Sequence, residues 1–219
     1  MKAEKPQGGD FKPLRAGQHL AICTRMVDLG THTSHTRFGE KTQRKIMLAF
    51  EIPEERIEYE KDGVPVNEPA LHIERFTWSF HENAILRKTL ESWRGVPFKE
   101  SELSGPDAFD TKALMGVPAL IQIVHVQSGD KTFANMQAIM KAPIKKTEWP
   151  APELPTIYLD LRDFDQGAFD MLSEYWQNMI RSSPEYQQLF PEYQGSAEQG
   201  YAEGKTTTKP PVEDDEIPF

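Results

Sequence analysis

Seven residues near the C-terminal end carry the most specific chemistry in the sequence: Glu213, Asp214, Asp215, Glu216, Ile217, Pro218 and Phe219. Four acids followed by two apolar anchors around a proline make a short ligand for an apolar pocket with a basic rim. Phe219 can fill the hole while its α-carboxylate pairs with an Arg or Lys, and Pro218 limits the entropy lost on binding. A second set of residues suits a different ligand. Arg37, Phe38, Lys41, Arg44 and Lys45 place one aromatic among four cations; Arg75, Phe76, Trp78 and Phe80 place three aromatics at period two; Lys131 and Phe133 sit at a turn. Cations for phosphates and flat rings for bases are what holds a single nucleic-acid strand without reading its sequence.

Each candidate has a plainer alternative. Phe76, Trp78 and Phe80 share one face, which is either a stacking surface or the interior of the sheet. Both roles stay open for Trp78, and the interior is favoured for Phe80. Arg37, Phe38 and Lys41 have no core role to compete with binding. Trp93 lies on the apolar side of a helix and reads as core. His32-x-x-His35 offers two ligands where a metal site needs three or four, so both read as polar loop residues. Cys23, the single cysteine, excludes an intramolecular disulfide and reads as a small core residue. No phosphate-binding glycine loop, nucleophile elbow or zinc-protease motif occurs, and Glu54-Glu55 lacks a matching lysine for nuclease chemistry. No catalytic constellation, cofactor or metal is expected.

The elements that must position these residues are mostly strands. Gln18–Leu29, Arg44–Ile52 and Leu71–Phe80 read as three strands, joined by a polar loop or mobile hairpin tip at 30–43 and a long exposed, acidic connection at 53–69. Ser79-x-x-Glu82 resembles a capping box ahead of an amphipathic helix over Ala84–Trp93 that ends at Gly95. Residues 96–116 are broken by prolines and glycines, with one helical turn near Thr111–Met115. Val117–Gln127 and Thr132–Ala142 form a hairpin. This order predicts a mainly β fold: a five-stranded Greek-key OB-type barrel with its helix between strands 3 and 4. Beyond Lys146, a Pro-rich spacer leads to a short strand at Thr156–Leu161. A continuous helix follows over Phe169–Ile180, with Met171, Leu172, Tyr175, Trp176, Met179 and Ile180 on its apolar face. The expected organisation is a disordered arm (1–13), the OB-fold domain (14–146), a helical extension packed on it (147–194) and a disordered acidic tail (195–219).

The net charge of −9 over 219 residues argues against a nucleic-acid partner only as an average. Residues 1–50 are net +5, whereas residues 147–219 carry four basic and fifteen acidic side chains, net −11. The first 146 residues are net +2. The longest apolar run, Val117–Val124, is too short to cross a bilayer, and MKAEKPQGGD lacks the apolar stretch of a signal peptide. A cytoplasmic protein is expected.

DDEIPF resembles the acidic tip of bacterial single-stranded DNA-binding proteins. Over roughly residues 18–190 the body is more similar to the single-stranded DNA-binding proteins of tailed phages, through LRKTLESWRGVPF (86–98), FDTKALMGVPALIQIVH (109–125) and the helix ending in IRSSPEY (180–186). The resemblance implies a non-enzymatic protein that coats single-stranded DNA during phage replication and recombination, as a possible homo-oligomer. It also implies that Asp214, Asp215, Glu216, Ile217, Pro218 and Phe219 recruit host or phage replication, recombination and repair proteins. Two alternatives stand beside it: a replication-complex adaptor that uses the tip without binding DNA, and a nuclease with a disguised site.

Overall fold

The computed structural model describes residues 13–36, 39–61, 63–129 and 131–193. Arg37, Phe38, the tip residues Asp214 to Phe219, and almost all of the two segments expected to be disordered lie outside the described residues.

Long strands β1 (Gly17–Thr36), β2 (Gly39–Lys61) and β3 (Val64–Thr77) run antiparallel in a meander. β4 (Pro118–Ser128) and β5 (Lys131–Lys141) form a hairpin, and β4 pairs with residues 17–22 of β1. Where β4 leaves that edge, β6 (Ile157–Leu159) takes it over, pairing in parallel with Arg25, Met26 and Val27. The sheet order is β3-β2-β1-β4-β5, with β6 on β1. A closed five-stranded barrel is expected from the sequence, but this sheet has six strands and is not closed. Among the described residues no ladder joins β3 to β5. α1 (Ile85–Arg94) packs on both of those strands and occupies the gap between them.

Of the stretches expected as a loop or hairpin tip (30–43) and as an exposed connection (53–69), residues 30–36, 39–43, 53–61 and 64–69 are strand. Residues 30–43 extend the β1–β2 ladder to Thr36↔Gly39, and residues 53–69 extend the β2–β3 ladder to Lys61↔Val64. The first is almost wholly polar, so hydrophobic alternation does not mark it, yet its β-branched threonines favour a pleated backbone. The second does alternate, with Ile57 and Tyr59 two apart and Tyr59 opposite Val66, but Ile57, Tyr59 and Val64 are exposed and stand among acids and prolines. The Thr33 and Thr42 hydroxyls meet across the first hairpin at 2.8 Å. Pro65 and Pro69 are tolerated because β3 is an edge strand. The expected capping box does not form: the N-cap of α1 is Ala84, without a side-chain cap, and Ser79 Oγ accepts from the His81 N–H at 3.3 Å. The C-terminal end is as read, with Gly95 in the left-handed region and its N–H on the Glu91 carbonyl at 2.9 Å.

The continuous helix expected over Phe169–Ile180 is broken. α2 (Gln166–Asp170) and α3 (Glu174–Arg181) are separate, and α4 (Pro184–Leu189) follows. Gln177 Nε2 donates to the carbonyls of Phe169 at 3.2 Å and Leu172 at 3.0 Å, satisfying acceptors that the break exposes. The break turns Met171 out to solvent while Leu172, Trp176 and Ile180 stay buried.

The sheet has a core on each side. Its inner face packs Cys23, Ile46, Leu48, Phe50, Phe76 and Ile121 against α1 through Leu86, Leu90 and Trp93. The outer face of β1 and β2 offers Val27, Leu29 and Met47 to β6 and to Phe169, Trp176, Ile180 and Tyr186 of the C-terminal helices. Glu51, fully buried on β2, anchors the lead into that second layer: its two carboxylate oxygens accept the N–H groups of Glu153 and Leu154, each at 2.9 Å. Burial pushes the Cys23 thiol up to about 12. The native chain should therefore resist a thiol reagent at pH 8 and react at once in denaturant; rapid native labelling would contradict this burial.

Candidate functional site

Opposed residues of an antiparallel pair share a face, and neighbours along a strand alternate. Ile46 pairs with Phe76, and both belong to the inner core. Arg44 and Trp78, each two residues further along its strand, therefore lie on the inner side at the mouth of that core. The Trp78 N–H donates to the Arg44 carbonyl at 2.7 Å. Lys45 pairs with Thr77 and Met47 with Arg75, which places Lys45 and Arg75 on the outer side, and Lys41 shares their parity. The sheet thus divides the candidate residues: Arg44, Phe76 and Trp78 on one side, Lys41, Lys45 and Arg75 on the other.

Phe76 is 6% exposed and belongs to the core. Its proposed stacking role is corrected accordingly, because a buried ring has no free face. Trp78 is half-buried; its inner part packs on the core and on Phe80, edge to face at 5.4 Å. Phe80 continues the chain of rings to Phe98 at 5.5 Å. Just past the end of β3, Trp78 and Phe80 are both half-buried, so each keeps part of its ring exposed, whereas Phe76 does not.

Arg44 is not a bare cation. Its guanidinium clasps the buried Asp28 carboxylate, with Nε on Oδ1 at 3.1 Å and Nη2 on Oδ2, and this bond holds the arginine's pKa above its ordinary value. Asp28 also accepts the N–H of Gly30 at 3.0 Å and of Leu161 at 3.3 Å. The extension then supplies residues for which the sequence gives no signal, since nothing in the local pattern says what β6 abuts. Tyr158 and Arg162 line a small depression together with Arg44 and Trp78. Arg162 is held by Asp160 through Nη2 to Oδ2 at 2.6 Å, which keeps that carboxyl below its ordinary range.

Lys45 Nζ donates to Thr77 Oγ1 at 2.7 Å and to Gln43 Oε1 at 3.1 Å. Lys41 is half-buried and Arg75 is exposed. Lys131 is exposed, and Phe133, half-buried, sits opposite Val126. The ladders put the β1–β2 tip beyond the C-terminal end of β1 and the β4–β5 tip beyond its N-terminal end, past Gly17↔Ile123. Lys131 and Phe133 therefore do not join Arg44 and Trp78 in one patch along β1.

His32 Nε2 lies 2.8 Å from the Leu29 carbonyl, and His35 pairs with Glu40 at 3.2 Å. Among the described residues no group of three or more His, Cys, Asp or Glu is arranged to hold a metal ion, and no helix is long and apolar enough to cross a membrane. One further concavity has no signal in the sequence: a cleft of about 550 Å³ between α1, the turn after Asp110 and the segment leaving β5. No protein-family model matches the chain, and no curated protein matches it.

Proposed function

We propose that the chain is a single-stranded DNA-binding protein of the phage type: an OB-like sheet that holds exposed strands during replication and recombination, with a C-terminal tip that recruits other proteins. The binding is stoichiometric and largely independent of sequence. The observation that carries the reading is the half-exposed Trp78 between Arg44, Tyr158 and Arg162 at the mouth of the inner face. A ring for a base and two guanidinium groups for phosphates line one small depression. The strand order β3-β2-β1-β4-β5 with α1 between β3 and β4 supports the OB-type reading, a barrel opened between its third and fifth strands.

Titration with poly-dT at low salt, followed by tryptophan fluorescence, tests this. Quenching is expected, with affinity falling steeply as salt rises. Trp78→Ala should weaken binding by about 1–3 kcal/mol, the usual loss for one stacked base. Arg75→Ala and Lys131→Ala should each lower the salt slope by about 0.7 where they meet a phosphate. Absence of binding at low salt would sink the reading.

A second reading, an adaptor that recruits proteins without holding DNA, is favoured by one observation. Arg44 and Arg162 are both already neutralised by carboxylates, Asp28 and Asp160. The same titration separates the two readings.

A further inference from the structure

The cleft of about 550 Å³ beside α1 has the volume of a small-molecule site. Ten of the fourteen residues around it are apolar, and the other four are the cations Arg94, Lys141, Lys145 and Lys146. Leu90, Leu114 and Val117 supply an aliphatic floor, and the half-buried Trp149 forms a wall. No lining side chain carries an oxygen, so none can accept a hydrogen bond. The neutral donors are two indole N–H groups, and that of Trp93 already donates to the Pro118 carbonyl at 3.0 Å. What the side chains offer a ligand is therefore apolar surface and positive charge.

The cations are placed to receive an anion. Lys141, Lys145 and Lys146 are exposed, and none has an ion pair among the described residues. Arg94 is fixed from two sides: Nη2 donates to Glu102 at 2.7 Å, and the guanidinium lies 4.5 Å above the Phe98 ring. Its Nη1 is buried and has no hydrogen-bond partner among the described residues. A buried donor without an acceptor is costly, and an anionic oxygen is the acceptor that suits it best.

We propose that this cleft binds a small amphiphilic anion, with an acyl or aryl body on the apolar floor and a head of anionic oxygens among Arg94, Lys141 and Lys145. The lining selects this class over its competitors. A nucleotide, a sugar or a peptide brings N–H or O–H donors, which would find no side-chain acceptor there. An amphiphilic anion brings acceptors alone. Bound, it would join α1, through Leu90 and Arg94, to the turn before β4 and to the segment leaving β5. Since α1 fills the gap between β3 and β5, occupancy should stabilise the folded chain by mass action. The inference does not rest on DNA binding.

The test titrates decanoate into the intact chain, followed by amide and indole spectra. Saturable shifts are expected at Ala113, Leu114, Ile144 and the Trp149 indole, together with a rise in the unfolding temperature. Decanol should bind about tenfold more weakly, the loss of one charge-assisted contact, and decyltrimethylammonium should leave these resonances in place. Lys141→Gln/Lys145→Gln should weaken decanoate by about the same factor and leave decanol unchanged. Ala113→Trp, at an exposed position of the lining, should fill the cleft and abolish both the shifts and the thermal gain. Decanol binding as tightly as decanoate would overturn the proposal. So would shifts that never saturate and spread over exposed apolar residues such as Val126 and Met140. Shifts of the cleft resonances by thymidine monophosphate or a dT oligonucleotide would make the occupant a nucleic acid. Shifts seen with anionic lipid vesicles and not with decanoate would make it a membrane surface. Either result would also overturn the proposal.

Discussion

Replacing Gly30 by alanine should destabilise the chain by about 2–5 kcal/mol, a large part of the 5–15 kcal/mol that holds a typical domain together. Gly30 sits at the irregularity in β1 between Asp28 and its neighbour, with φ +79°, and its N–H donates to Asp28 Oδ1 at 3.0 Å. An L-residue in that region costs about 1–2 kcal/mol. A Cβ there would also overlap Cβ and Oγ of Ser183, which is fully buried and caps α4 by accepting the Tyr186 N–H. Such overpacking adds about 1–3 kcal/mol.

The same contact shows what Gly30 does for the fold, which is to let α4 touch β1. Beside it Glu185 receives the Thr31 N–H at 2.8 Å and the Thr31 hydroxyl at 2.5 Å. Burial pulls the Glu185 carboxyl upward, but these bonds and Arg44 outweigh it, so its pKa lies below the ordinary range. Chemical denaturation of Gly30→Ala, alone and with Ser183→Gly, separates the two costs. Ser183→Gly by itself should cost only a few tenths of a kcal/mol, since glycine is an acceptable N-cap. In the double variant the overlap is relieved and the left-handed strain stays. A Gly30→Ala chain as stable as the parent would show that α4 does not pack against β1 in this way.

The strands and helices that build the inner core were legible because their apolar residues obey a period. Ile46, Leu48 and Phe50 alternate on β2, and Leu86, Leu90 and Trp93 line one side of α1. The first hairpin extension was not legible, because an almost wholly polar ladder carries no alternation to read. In the second, Ile57 and Tyr59 and then Val64 and Val66 do alternate, but prolines, acids and Asp62-Gly63 among them give the stretch the composition of an exposed connection. The break between α2 and α3 was hidden for the opposite reason. Met171 and Leu172 continue the helical period through it, and only the Gln177 side chain reveals that the backbone has left the helix. Of the candidate site, period two on β3 correctly put Phe76, Trp78 and Phe80 together, but parity cannot say which end of a face is covered. Nor can a list of cations show that Arg44 is paired. Asp28 lies sixteen residues away, across a bulge that shifts the register of β1 against β2. Tyr158 and Arg162 reach the site only through β6, whose parallel pairing to β1 leaves no local trace.

Asp28 yields the second large effect, and it bears on stability and function together. Asp28→Ala should destabilise by about 2–4 kcal/mol. Removing one partner of a buried pair costs about 3–5 kcal/mol, and the 28% exposure of the Arg44 side chain reduces that figure because water can partly replace the carboxylate. The N–H groups of Gly30 and Leu161 lose their acceptor as well, so the loss should be felt both at the β1 bulge and at the end of β6. Asp28→Asn is the milder and more informative change. Its amide oxygen can keep one backbone N–H, while the charge that neutralises Arg44 is gone. If Arg44 meets a phosphate in the bound state, the Asn variant should bind poly-dT several-fold more tightly, with a salt slope steeper by about 0.7, the increment for one further phosphate contact on a single strand. Removing an acidic charge anywhere near the strand raises affinity somewhat, so the slope is the decisive quantity. A slope identical to the parent's, in a variant that remains folded, would take Arg44 out of the interface. It would leave Asp28 and Arg44 as the tie between the β1–β2 hairpin and the C-terminal layer.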